Sequence, residues 1–370
     1  MVCVMSDFFE LYPRLYVNDE IILGRVRQFM ERVVQPVINN HWIQDKFPKW
    51  IVSNLRELDI IDKSPLLTGL ITMEMARVDP SIATFYTIQN GLVIGTIEKM
   101  GTEEQKKKWL PLLKRFETIG CFALTEPDVG SGINDMNTTV DRVGHRLIIE
   151  GQKKWVGNAT WADISIVWTK IKHTTQIIGF IVENKTHGFK VEKIENKFGL
   201  KVCQNGLITM ENVIVYDEDI LQGSFKDTIR MTRYLVGWEA TGLQMGAYEH
   251  ALKYAKEREQ FGKPIASFQL IQELLAKMLG NLTACQCMMY QLGQIEFTDA
   301  QAALAKAFCT SKARETVAWG REIFGGNGMS IDYNIGRFFC DAEALYSYEG
   351  TYQMQNLIVG KHITGLSAFV

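Results

Sequence analysis

Apolar residues recur at helical spacing from Asn18 to Phe116, as in Ile22, Val26, Phe29, Met30 and Val33, with Pro36, Pro48, Pro65 and Pro80 as punctuation. This spacing predicts a helical region. From Gly120 to about Leu221 the texture changes to short alternating or β-rich runs, RLIIEG, ISIVWTK, TQIIGFIVE and LITMENVIV, separated by turn residues such as Gly144 and Gly151. A small β-domain is expected there. From Phe225 onward the helical period returns, through Tyr248, Ala251, Leu252 and Ala255, then Leu270, Leu274, Met278 and Leu282, then Ala303, Ala307, Val317 and Ile323. Long amphipathic helices of this kind pack as a bundle, and their apolar faces are broader than an isolated monomer needs. The predicted organisation is α+β in three domains: 1–118 helical, 119–223 β, and 224–370 a helical bundle.

Composition narrows the function classes. A chain of 370 residues with 46% hydrophobic content can bury a large core. With 40 basic against 42 acidic residues, its net charge of -2 gives no electrostatic footprint for nucleic acid or a membrane surface. Cys3, Cys121, Cys203, Cys285, Cys287, Cys309 and Cys340 are scattered without paired spacing. Cys285 and Cys287 diverge on a helical stretch and no histidine follows at ligand spacing, so reduced thiols in a cytoplasmic protein are expected. The six histidines form no metal-like cluster. No basic stretch followed by an apolar run opens the chain, no segment is long enough to span a bilayer, and the last residues are not a peroxisomal address, so neither secretion nor membrane insertion is expected.

Tyr348-Glu349-Gly350-Thr351 places one carboxylate in an aromatic, glycine-bounded turn between two helices, a setting that can raise its pKa and aim it as a base. Taken alone, a solvated Glu in an inter-helix turn is the simpler reading. The turn has company, however: LTEPDVGS at 124–131, KKWVGNATWAD at 153–163, EREQFGKP at 257–264 and GGNG at 325–328. In this order and spacing the segments resemble the acyl-CoA dehydrogenase and oxidase superfamily across almost the whole chain. The resemblance implies an N-terminal helical domain, a middle small β-barrel-like domain and a C-terminal four-helix bundle, with FAD as cofactor.

Oxidising a saturated Cα–Cβ bond beside a thioester requires a base for the α-proton, an acceptor for the β-hydride and donors for enolate charge on the carbonyl. No side chain accepts a hydride, whereas a flavin does. By resemblance Glu349 is the base and its own amide helps polarise the carbonyl, with Tyr348 and Gly350 beside the substrate. Some branches carry the base at the position matching Thr232, which cannot act as one. The resemblance further implies that Leu124, Thr125 and Ser131 contact FAD and that Trp155 packs against its ring. It implies that Arg258, Phe261, Gln269 and the stretch from Glu322 through Gly325 and Gly326 reach the FAD of a neighbouring subunit, so a homotetramer or homodimer is expected. Thr351 and Gln353 match FAD contacts, and Arg233 matches an arginine close to the acyl thioester. Arg230 faces either the substrate or solvent. Locally, LTEPDVGS is a capped turn, Trp155 a core tryptophan and GGNG a helix C-cap.

The C-terminal segments look nearest to the branch of glutaryl-CoA dehydrogenases and short-chain acyl-CoA oxidases. Glutaryl enzymes hold a distal carboxylate with an arginine, and the matching residue is Ala83, so a small, uncharged acyl group is expected. Phe85 and Tyr86 either narrow that pocket or fill the core. Gly157 stands where most dehydrogenases carry a threonine near flavin N5, and its missing side chain is expected to open space for oxygen. Gly132 replaces a usual aspartate, and the stretch from Leu58 to Leu67 is shorter than in relatives. A wider entrance there suits a second substrate class, an acyl or aminoacyl group on an acyl carrier protein. Either oxygen or an electron-transfer flavoprotein would take the electrons. A flavin-free scaffold is disfavoured by the presence of Glu349, Arg258, Thr125 and Ser131.

Overall fold

The computed structural model describes residues 6–11 and 15–368, the side chain of Asp227 excepted. Cys3, Phe369 and Val370, read above for thiol chemistry and targeting, lie outside the described residues. The N-terminal helices are α1 (Val17–Phe29), α2 (Gln35–Ile43), α3 (Val52–Leu55), α4 (Pro65–Val78), α5 (Pro80–Thr87), α6 (Gly95–Met100) and α7 (Glu103–Lys114). Pro65 and Pro80 open α4 and α5, where a missing N–H costs nothing. Ser64 and Asp79 cap the same two helices through Leu67 N and Ile82 N. The shortened stretch before α4 is pinned: Ile60 O accepts the Tyr86 hydroxyl at 2.7 Å, Lys63 pairs with Asp59 and Lys114 with Asp62.

Eight strands follow: β1 (Gly120–Ala123), β2 (Thr139–Val143), β3 (Arg146–Val156), β4 (Ile164–Ile171), β5 (Ile177–Glu183), β6 (Phe189–Lys193), β7 (Gly206–Val215) and β8 (Ile220–Leu221). They form one sheet ordered β6-β7-β3-β2-β4-β5-β8, with β1 parallel to β4. β4 alternates between two cores. Val167 joins Val140, Phe180 and Met210 on one face, while Ile166 and Trp168 meet Val93 and Ile97 of the N-terminal helices on the other. Its first six residues are therefore all buried, which explains why this run reads as continuously apolar.

The C-terminal bundle holds α8 (Lys226–Glu257), the small hairpin β9 (Glu259–Gln260) and β10 (Lys263–Pro264), then α9 (Gln269–Gly293), α10 (Asp299–Phe324), α11 (Ile335–Ser347) and α12 (Tyr352–Thr364). Its long α8 packs on α10 and on α4, so the first and last helical regions share one core. At Gly246 a β-carbon would stand 2.0 Å from Arg77 O, so only glycine lets the backbones of α8 and α4 approach this closely. That approach carries α5, which follows α4 after Asp79, to the face of α8. Among the described residues no helix is long and apolar enough to cross a membrane, no cluster could hold a metal ion, and Cys285 is buried while Cys287 is half-buried.

One buried ion pair ties the last helices to the first. Arg337 on α11 donates to the Asp79 carboxylate, to Val78 O at 2.8 Å and to Asn39 Oδ1 at 3.1 Å, with Arg337 and Asp79 only 1% and 0% exposed. Asp79→Asn keeps the cap oxygen but leaves the guanidinium uncompensated, so a loss of about 3–5 kcal/mol is expected in denaturant unfolding. Removing the exposed Lys190–Glu211 pair is expected to leave the midpoint unchanged.

Candidate active site

Between the end of α11 at Ser347 and the cap of α12 at Thr351, whose hydroxyl accepts from Met354 N at 3.3 Å, the chain makes one sharp turn. Glu349 and Gly350 are both left-handed, with φ of 53° and 85°. For Glu349 that conformation is costly and must be imposed from outside. Gln355 Nε2 donates to Glu349 O at 3.0 Å and to Gly350 O at 2.9 Å, and Lys306 Nζ donates to Gly350 O at 2.6 Å. Both clamping side chains are fully buried, so water does not compete for the carbonyls.

The Glu349 carboxyl points to α8, where the Thr232 hydroxyl donates to Oε2 at 2.8 Å. Although the residue keeps an accessible edge, its carboxyl is withdrawn from water, and this desolvation pushes its pKa above the ordinary carboxylate value. The Thr232 hydrogen bond and the charges of Lys306 and Arg233 oppose the rise. Lys306 is tuned the other way, brought down to about 7 by burial against the pull of Glu349. Next to Glu349, the Tyr348 hydroxyl donates to Glu239 on α8, whose carboxyl also accepts from Thr87 at 2.7 Å and Thr84 at 3.2 Å on α5. Burial raises Glu239 to about 7, opposed by the hydrogen bonds of Tyr348, Thr87 and Thr84. Burial thus holds two carboxyls up and one ammonium down within a single cluster, the kind of perturbation that proton-transfer sites share with buried structural networks.

Arg233 follows Thr232 on α8 but is engaged by Asp299 at the start of α10, while Arg230 is exposed to solvent. Ala83 is fully buried, and Phe85 packs against Phe47 and Trp161 at 4.9 and 5.5 Å, a core role.

The β-domain contributes a second surface. After β1, Leu124 O accepts the buried Lys153 ammonium at 2.9 Å and Thr125 O accepts Lys154 N at 2.8 Å, tying the 124–131 loop to β3. Glu126, paired with Lys153 at 2.9 Å, takes the amides of Asn137 and Thr138, which leaves Ser131 exposed at the loop's end. Trp155 is no core residue: it is left-handed at φ 65° and half-exposed at 52%, so its ring is presented rather than packed away. Nor does Gly157 open space beside it. A β-carbon there would meet Ile88 Cδ1 at 2.4 Å, so the volume expected to admit oxygen is held by an isoleucine.

Arg258, Phe261, Gln269, Gly325 and Gly326 line a separate groove of about 810 Å³ at the hairpin end of the bundle. Phe261, left-handed at φ 53°, is 93% exposed there. Glu322 stands exposed on the last turn of α10, and Gln353 is exposed on the first turn of α12.

The N-terminal, middle and C-terminal domain families of acyl-CoA dehydrogenases match residues 18–117, 121–213 and 223–364. The chain belongs to the acyl-CoA dehydrogenase family. It is 32% identical to the 3-(aryl)acrylate reductase of Clostridium sporogenes over 93% of this chain and 98% of that one. It is 33% identical to the caffeyl-CoA reductase-Etf complex subunit CarC of Acetobacterium woodii over 77% and 79% of the two chains. The structure of a glutaryl-CoA dehydrogenase from Mycobacterium smegmatis in complex with FADH2 superimposes with a TM-score of 0.96 at 28% identity, covering 99% of this chain and 100% of that one. The protein is thus an FAD-dependent oxidoreductase with the acyl-CoA dehydrogenase fold.

Three groups of this acyl-CoA dehydrogenase site escaped the motif analysis: Glu239, Lys306 and Gln355. Glu239 and Lys306 are charged residues in largely apolar helical stretches, as in Tyr234-Leu-Val-Gly-Trp-Glu239-Ala, and that isolation was the available signal, whereas Gln355 sits among polar neighbours and carried none. Because the Thr232 hydroxyl lowers the pKa of Glu349, Thr232→Val is expected to raise it further. With Glu349 as the group that must be ionised for flavin reduction, the acidic limb of the pH profile then moves to higher pH, and an unmoved limb in anaerobic stopped-flow argues against that role.

Proposed function

We propose that this acyl-CoA dehydrogenase oxidises a small, uncharged acyl thioester between Cα and Cβ, with Glu349 removing the α-proton. The carrying observation is the Glu349 carboxyl itself, withdrawn from water and steadied by a single neutral donor, Thr232, so that it titrates above the usual carboxylate range. Ionised, it accepts a proton from Cα. Its backbone N–H has no acceptor among the described residues, and the left-handed turn leaves it free to donate to a thioester carbonyl as enolate charge develops. Bound FAD supplies the hydride acceptor for Cβ. The same residues serve the reverse reduction, the direction named for the two bacterial relatives.

The donor set suits FAD. Leu124, Thr125, Ser131, Thr351 and Gln353 offer amides, hydroxyls and an amide side chain, while the presented ring of Trp155 offers a flat apolar face. Arg258, Phe261, Gln269, Gly325 and Gly326 supply a charge and an uncovered ring in the distal groove, which supports contact with the FAD of a second copy of the chain. The small, uncharged acyl group is supported by Ala83, whose side chain offers no cation to pair with a second carboxylate on the substrate. The Etf complex of the CarC relative and the filled space at Gly157 favour an electron-transfer flavoprotein over oxygen as acceptor.

Glu349→Gln is expected to keep FAD but to slow its bleaching by short-chain acyl-CoAs by at least about 100-fold under anaerobic conditions. Full activity removes Glu349 from the role of base, and a wild-type enzyme that no CoA ester bleaches points instead to an acyl group on a carrier protein. Arg258→Ala is expected to lose FAD on dilution and gel filtration faster than the wild type, whereas unchanged retention argues against a contribution from the groove.

A further inference from the structure

Glu239 plays no part in the proton transfer just described, yet it is among the hardest groups of the site to bury. It has no exposed surface, no ion-pair partner among the described residues, and three hydroxyl donors in place of a cation. It stands seven residues after Thr232 on α8, two turns along the same face. Thr232 holds the Glu349 carboxyl and Glu239 holds the Tyr348 hydroxyl, so one helix face grips two consecutive residues of the left-handed turn. Thr84 and Thr87 on α5 hold Glu239 in turn, and both have a fallback acceptor in their own helix, Pro80 O at 2.9 Å and Thr84 O at 3.1 Å.

We propose that Glu239 is a positioning residue for the proton transfer: by fixing the Tyr348 hydroxyl from α8 it sets the orientation of Glu349. The inference rests on Glu349 being the base. A hydrogen-bonded side chain immediately before the base restrains the backbone that the base and its amide both depend on, and a misplacement of about 1 Å is enough to slow such a step about 100-fold. The groups facing Glu239 are Thr84 and Thr87 from α5 and Tyr348 and Glu349 from the turn, with Lys306 of α10 felt through its charge. The charge of Glu349 adds to the burial that raises Glu239.

Charge and geometry are separable by substitution. Glu239→Gln keeps an acceptor for Tyr348 but removes the charge, so both the limiting rate of flavin reduction and its acidic limb stay near wild type. Glu239→Leu removes both, as Tyr348→Phe removes the hydrogen bond alone. Each is expected to lower the limiting rate by about 10- to 100-fold with substrate affinity and FAD content unchanged, and the double variant is expected to be no slower than the slower single one. All are assayed as holoenzymes by anaerobic stopped-flow across pH beside Glu349→Gln. If Glu349→Gln still reduces flavin, the base assignment fails and takes this proposal with it. If Glu349→Gln is inactive while Tyr348→Phe and both Glu239 variants keep the wild-type rate and pH profile, only the positioning role is overturned. Should Glu239→Leu not fold, Tyr348→Phe carries the same test with one oxygen removed.

Discussion

The carboxyl of Glu349 is kept out of water on a turn whose backbone enters the left-handed region at two successive residues, and neither condition is stable by local means. The conformation of Glu349 is held by Gln355 and Lys306, and the carboxyl by Thr232, residues drawn from α12, α10 and α8. In a low-dielectric setting each of these hydrogen bonds is stronger than in water, and each would be correspondingly expensive to leave unmade. The turn is therefore a product of the bundle around it.

The bundle can do this because the N-terminal and C-terminal helices share a single core. Close approach of α8 to α4 at Gly246 carries α5 to the face of α8, where Thr84 and Thr87 meet Glu239. The Arg337–Asp79 pair joins α11, which ends at the turn, to the junction of α4 and α5. A buried pair of this kind is weak evidence for net stability, but it tolerates few alternative arrangements and so fixes how the two helical regions dock. The sheet is joined to the same framework through β4, whose second face packs on Val93 and Ile97.

On the β-domain surface, local backbone geometry decides what is presented. Trp155, the last residue but one of β3, is left-handed and exposes its ring instead of burying it. The loop after β1 is tied to β3 through the carbonyls of Leu124 and Thr125 and the buried Lys153–Glu126 pair, and its last residue, Ser131, stays at the surface. At Gly157 the space freed by a missing side chain is taken by Ile88 from the π-helical stretch Ile88–Ile94, a reminder that interiors are close-packed and that a small residue in one element invites a large one from another.

Sequence alone determined the order of helical, β and helical regions, because hydrophobic periods of 3.6 and 2 record which face of each element is buried. It also identified the family and the YEGT turn, since a short motif with its own glycine is a local object. Tertiary structure decided the rest. Nothing in the neighbourhood of Glu239 or Lys306 says that a charge seven residues beyond Thr232, or one in an alanine-rich helix, closes on the residues beside Glu349. Whether Gly157 leaves a void depended on Ile88, nearly seventy residues earlier, and whether Arg233 is free depended on Asp299. Burial, charge pairing and the filling of space are properties of pairs of distant segments, and only the packed chain brings those pairs together.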